Sequence, residues 1–123
     1  MISIETKDNC TIFRVSGTVT ASDILAHAVQ YLTGEQTPTS MWDFSRTDIL
    51  KMTTLEIKGI ADSLKHVSPQ AGGGKVALVG SDTINIGLGK VFAAFAQMAR
   101  LPFKYKAFRH TAEAEKWLAD DSV

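Results

Sequence analysis

The chain reads as an α/β protein with a mixed five-stranded sheet, flanking helices and the element order ββαβαβαβα, and three observations predict it. Apolar residues switch back and forth between a period of two and a period near 3.6. Turn-forming residues separate these segments, with Ser, Thr or Asp ahead of each helical stretch. Two later strands are near-continuous apolar runs, as expected where helices cover both faces of a sheet. The 123 residues, 45% hydrophobic and 21% charged, suit one domain over 1–123 that buries about two-thirds of its unfolded surface.

The elements follow in order. Ile2 and Ile4 alternate with polar neighbours, and Thr11-Ile12-Phe13-Arg14-Val15 follows the turn residues Asp8-Asn9, so two antiparallel strands are expected. Gly17 breaks the run. Thr20 is placed to cap a first helix, with Asp23 three residues on and Ile24, Leu25, Ala28, Val29, Tyr31 and Leu32 at helical spacings up to Gly34. Ser40-Met41-Trp42-Asp43-Phe44 is too apolar for a surface strand and reads as interior. Thr53 or Thr54 caps the second helix, with Glu56 placed for a capping box on Thr53 and Ile57, Ile60, Ala61 and Leu64 as the buried stripe. Pro69 and Gly72-Gly73-Gly74 end it.

Lys75-Val76-Ala77-Leu78-Val79-Gly80 is the strand expected at the centre of the sheet. Asp82 or Thr83 caps a long third helix whose stripe is Ile84, Leu88, Val91, Phe92, Phe95, Met98 and Ala99, closed by Leu101-Pro102. Phe103-Lys104-Tyr105-Lys106-Ala107-Phe108 alternates with its lysines outward, as at a sheet edge. Thr111 is placed to cap the last helix, with Ala114, Trp117 and Leu118 on its inner face.

Composition excludes several function classes. Thirteen basic residues balance thirteen acidic ones, for a net charge of zero, so no overall field favours nucleic acid. A single cysteine, Cys10, forbids an internal disulfide or a thiolate cluster and points to a reducing, cytoplasmic setting. The first residues lack the basic and apolar regions of a secretory signal. No apolar run approaches the ~20 residues of a membrane span.

The strand order and the stretch "WDFSRTDILKMTTLE" resemble the STAS domain, the SpoIIAA-like fold of anti-sigma-factor antagonists. The opening "FRVSGTVT", Asp43-Phe44-Ser45 after the third strand, "KVALVGSDTINIGLGKVFAAFAQM" and "YKAFRHTAEAEKWL" carry the resemblance over nearly the whole chain. They look more like broad bacterial STAS/SEC14-type proteins than the sigma-factor regulators themselves. The resemblance implies an acidic residue, a phosphorylatable serine, a small residue and a leucine at the start of the second helix. Counting from Asp43 puts Lys51, Met52, Thr53, Thr54 and Leu55 there. The acidic position is thus Lys51, and the serine position falls on Met52 or Thr53. Thr53 is the remaining phosphate acceptor, where the helix dipole favours added negative charge. A plain capping role is the simpler reading of Thr53.

Other features carry less chemistry. Gly72-Gly73-Gly74-Lys75 and Gly87-Leu88-Gly89-Lys90 lack the spacing and the Ser/Thr of a phosphate loop. His27, His66 and His110 sit singly on different elements, so no metal or other cofactor is expected. Gly87 and Gly89 suggest close approach of another element to the third helix. Asp43, Ser45, Arg46 and Asp48 form a polar cluster that turn hydrogen bonding explains.

The preferred expectation is a non-enzymatic module of STAS type that docks a protein partner or a second copy through Ser45, Asp48, Lys51, Met52, Thr53 and Thr54. An exposed Met52 is its expected contact. The alternative is a binder of a small apolar, lipid-like ligand between the third helix and the sheet, at Phe92, Phe95, Met98 and Phe103, as the SEC14-type resemblance implies. An enzyme is not expected, because no spacing brings a base, a nucleophile and an oxyanion donor together.

Overall fold

The computed structural model describes residues 1–47, 52–68 and 74–120. Its elements keep the expected order: β1 (Ile2–Lys7), β2 (Cys10–Gly17), α1 (Ala21–Thr33), β3 (Thr39–Thr47), α2 (Thr54–Val67), β4 (Lys75–Val79), α3 (Thr83–Met98), β5 (Lys104–Phe108) and α4 (Thr111–Ala119). The strands lie side by side in chain order, β1 antiparallel to β2 and every later pair parallel. Right-handed crossovers that always step the same way must put their helices on one face. Accordingly α1, α2 and α3 share one face, and α4 packs on the other against β3, β4 and β5.

Local chemistry sets the joints. Lys7 pairs with Cys10, leaving a two-residue turn in which Asp8 and Asn9 have φ of 52° and 62°, the left-handed geometry that tight hairpins need and Asp and Asn tolerate. Thr20 with Asp23 and Thr53 with Glu56 both form complete capping boxes. The backbone and hydroxyl of Thr20 hold the Asp23 carboxyl below its usual range. Its cap is therefore present above that range and fades as pH falls through the lowered pKa. Asp82 is the cap of α3, accepting from the amide of Asn85 at 2.7 Å. The last helix departs from expectation: His110 holds the extended cap position without a side-chain bond, and Thr111 is already helical.

The centre of the sheet is β3, with two strands on each side, rather than β4. The apolar run of β4 reflects cover on both faces instead: Val76 and Leu78 join the core under α1–α3, while Ala77 and Val79 join the one under α4. Phe13 of β2 stacks on Trp42 of β3 at 4.1 Å between ring centres, and Tyr31 of α1 meets Phe13 edge-on at 5.4 Å.

Helix α3 keeps Leu88, Val91, Phe92, Phe95 and Ala99 of its expected stripe against the core, but it is turned so that the two ends of that stripe leave it. Asn85, Ile86 and Ala96 are its buried residues, whereas Ile84 and Met98 are 52% and 74% exposed. The reason is a close seat on the sheet. A Cβ at Gly89 would lie 3.3 Å from the Cβ of Ala107 and 3.6 Å from that of Leu78, while one at Gly87 would meet nothing within 4 Å. The expected close approach therefore holds at Gly89 only. The polar Asn85 is buried and donates to the Thr47 carbonyl at 3.0 Å and the Phe44 carbonyl at 3.4 Å, tying α3 to the end of β3. The helix ends in a Schellman arrangement, Leu101 N–H to the Ala96 carbonyl and Arg100 N–H to the Gln97 carbonyl, with Arg100 at φ 57°.

Two glycine substitutions test this seat by urea unfolding. Gly89→Val is expected to lower stability by about 1–3 kcal/mol through overpacking. Gly59→Ala in α2, where nothing lies within 4 Å of the added Cβ, is expected to raise it by about 0.5–1 kcal/mol.

Candidate functional site

Strand β3 delivers the candidate docking region at its carboxyl end. Beyond Asp43 its register against β2 shifts, with Arg14 opposite Asp43 but Ser16 opposite Arg46. Within this bulge the Asp43 carboxylate accepts from the amide and hydroxyl of Ser45 at 3.0 and 2.6 Å. Ser45 is thus half-buried and held in a local turn, as turn chemistry predicts. Thr47 closes the strand by donating its hydroxyl to the Gly17 carbonyl. Asp48 and Lys51, two of the expected docking residues, lie outside the described residues.

The chain is described again from Met52, and here the expectation fails. Met52 is only 9% exposed and belongs to the core beneath α1–α3. It lies just before the cap, where its side chain can turn inward beside Ile57 on the buried stripe of α2. Among the described residues of this region the exposed apolar one is Leu55, at 78%, which the sequence reading passed over. Its signal was legible, since Leu55 falls off the Ile57, Ile60, Ala61 and Leu64 stripe, all four members of which are buried. Thr53 and Thr54 are exposed as expected. The Thr53 hydroxyl accepts from the Glu56 amide at 3.1 Å, and the Glu56 carboxylate accepts from the Thr53 amide at 2.9 Å. The first turn of α2 therefore presents Thr53, Thr54, Leu55 and Glu56 on a stiffened frame.

The candidate ligand site is an apolar cavity of about 100 Å³ between the sheet and α1–α3 together, a wider enclosure than the expected space under α3 alone. Trp42, Phe44, Phe92, Phe103 and Tyr105 line it, with Met52 at the α2 end. At the opposite end Thr37 links three elements, its hydroxyl 3.0 Å from the Tyr31 hydroxyl, 2.8 Å from that of Thr11, and donating to the Thr39 carbonyl at 2.7 Å. Of the four residues expected to hold a ligand, Phe92 and Phe103 line the cavity. Phe95 packs against the core outside the lining, and Met98 points to solvent, both because α3 is rotated about its seat at Gly89. Burial pushes the Tyr105 phenol well above its usual range, so it stays a neutral donor.

Elsewhere the chemistry is sparse. Burial raises the Cys10 thiol pKa, which leaves little reactive thiolate. Among the described residues no three His, Cys, Asp or Glu side chains are grouped to hold a metal ion, and no helix is long and apolar enough to cross a membrane.

Two substitutions separate packing from capping here. Met52→Asp is expected to destabilise the fold by about 3 kcal/mol, since it buries a carboxylate in an apolar core. Thr53→Ala is expected to cost about 1 kcal/mol through the lost cap. Thermal unfolding of both variants provides the comparison.

No family model matches the chain, and no curated protein does. Among solved structures it is similar to that of the anti-sigma factor antagonist SpoIIAA in its unphosphorylated form, with a TM-score of 0.53 and 13% sequence identity over 95% of this chain and 96% of that one. At that identity the likeness is one of architecture, and the mixed five-stranded sheet with its four helices has the SpoIIAA fold.

Proposed function

We propose that the chain is a non-enzymatic regulatory module that docks a protein partner through the first turn of α2 and the loop before it, with Leu55 as its apolar anchor. The observation that carries this reading is the 78% exposure of Leu55 in a turn fixed by a capping box. Burying one such side chain contributes about 1.5–3 kcal/mol, enough to make one leucine a contact that matters. Thr53, Thr54 and Glu56 form its polar rim, and Asp48, Lys51 and Ser45 belong to the same surface in this reading. The likeness to an anti-sigma factor antagonist supports a partner that is itself a protein.

Thr53 is the phosphate acceptor in this proposal. A phosphate on its oxygen adds nearly two negative charges at the helix amino terminus, where the dipole favours them. It also stands against the Glu56 carboxylate that now holds the Thr53 amide. Phosphorylation would therefore open the capping box and reshape the turn that presents Leu55.

The test is affinity capture from the host's own lysate. Leu55→Asp is expected to lose the partner captured by the unaltered chain while keeping its melting temperature, because Leu55 contributes little to the core. An unchanged capture profile overturns the docking reading.

The cavity favours a second reading, a site for a small apolar ligand. Its size decides the ligand class: about 100 Å³ is less than the ~150 Å³ of an apolar cavity that admits benzene, and well under the ~300 Å³ where ordinary ligand sites begin. A long-chain lipid does not fit, and a gas or a hydrocarbon of a few carbons does. Xenon or ethylene under pressure is expected to raise the melting temperature of the wild type but not of Ala28→Leu, which fills the cavity wall. Equal response of both proteins removes this reading.

A further inference from the structure

We infer that the cavity beneath α1–α3 takes a small uncharged molecule with one oxygen-bearing head, a short-chain alcohol or carbonyl compound, held by that head at the hydroxyls of Ser40 and Tyr105. The inference deepens the second reading above and rests on it. Ser40 is only 3% exposed and lines the cavity, yet its hydroxyl meets no hydrogen-bond partner among the described residues. Buried hydroxyls nearly always have one, because they have given up water to be there. Tyr105 lines the cavity too, its ring meeting Phe92 and Phe103 edge-on. Its phenol likewise has no hydrogen-bond partner among the described residues.

The two stand in one row of the sheet. Ser40 is opposite Val76 and Val76 is opposite Tyr105, so the Cα atoms of Ser40 and Tyr105 are two strand spacings, roughly 9–10 Å, apart. The row continues through Thr11 on β2, whose hydroxyl meets that of Thr37, as Tyr31 does. These three hydroxyls bond one another, which leaves Ser40 and Tyr105 for a guest. Farther along the strands the lining is apolar, with Trp42, Leu78, Phe44 and Met52. A guest with one polar end therefore lies along the strands, its head at Ser40 and its body towards Met52.

The same inventory sets the chemistry of the head. Among the described lining residues Lys75 alone is charged, and its ammonium is committed to α4, donating to the Trp117 carbonyl at 2.9 Å and to the Asp120 carbonyl. An ionised head would thus be buried without a counter-charge. Burial keeps the Tyr105 phenol protonated, so it can donate, and a carbonyl or hydroxyl oxygen has the lone pairs to accept from both residues. The volume of about 100 Å³ is below the ~150 Å³ that admits benzene, which limits the guest to about five heavy atoms.

NMR titration with 2-butanone and with 2-methyl-1-butene, the same skeleton with CH₂ in place of the carbonyl oxygen, is the test. Ser40→Ala and Tyr105→Phe, which keeps the ring packing, are each expected to weaken the ketone about tenfold while leaving the alkene's affinity unchanged. Without a guest, Ser40→Ala is expected to melt no lower than the wild type, since the hydroxyl it removes has no partner to lose. A lower melting temperature assigns that hydroxyl to the fold and overturns the inference. So does a ketone that fails to bind, or whose affinity shifts in step with the alkene's in both variants; if xenon still stabilises the protein, the cavity reading survives that result. Failure of ketone, alkene and xenon alike removes both.

Discussion

Much of this structure follows from how closely α3 sits on β4 and β5. A Cβ at Gly89 would crowd those of Ala107 and Leu78 at 3.3 and 3.6 Å, so the helix can meet the sheet this closely only because that residue has none. That seat fixes the rotation of α3 about its own axis. It turns Phe92 over the cavity beside Tyr105, their ring centres 5.3 Å apart, and turns Ile84 and Met98 outward. It also lowers Asn85 onto the end of β3, where the side-chain amide satisfies two carbonyls of the strand while its own oxygen meets no hydrogen-bond partner among the described residues. The rotation thus sets the cavity wall and the exposed ends of the stripe together.

The first turn of α2 and the cavity share a border at Met52. Its side chain lines the cavity while its neighbour Thr53 caps the helix that presents Leu55. A change in the α2 turn is therefore adjacent to the packing of Met52, and a molecule in the cavity would touch the residue that anchors the turn.

Much of the fold was legible because each element carried its own local signal. The Asp8-Asn9 turn, the boxes at Thr20 and Thr53 and the buried stripe of α2 all depend on interactions within four residues, and sequence spacing reports such interactions directly. The exact rotation of α3 was not legible, because Leu88, Phe92 and Phe95 face inward together with Ile86 and Ala96, and how far so broad an apolar face turns is set by Leu78 and Ala107 on distant strands. The centre of the sheet was misread for a related reason. Apolar content reports cover by helices, and β4 has as much of it as β3 without lying in the middle. At the candidate site, exposure of Thr53 and Thr54 followed from their capping positions, whereas Met52 stands outside the helix, where helical periodicity gives no direction for a side chain.

The side-by-side order of the strands bears on how the chain comes together. Every parallel pair joins strands that are neighbours in sequence, separated by a single helix, so each closure spans one crossover and none spans the whole chain. No strand must wait for a distant partner, and the sheet can grow from β1 towards β5 as residues leave the ribosome. The face opposite the three crossover helices stays open until α4 arrives. Helix α4 follows β5 in chain order and closes the second core, so a growing chain leaves its Met41, Ala77 and Val79 surface uncovered until that helix has formed.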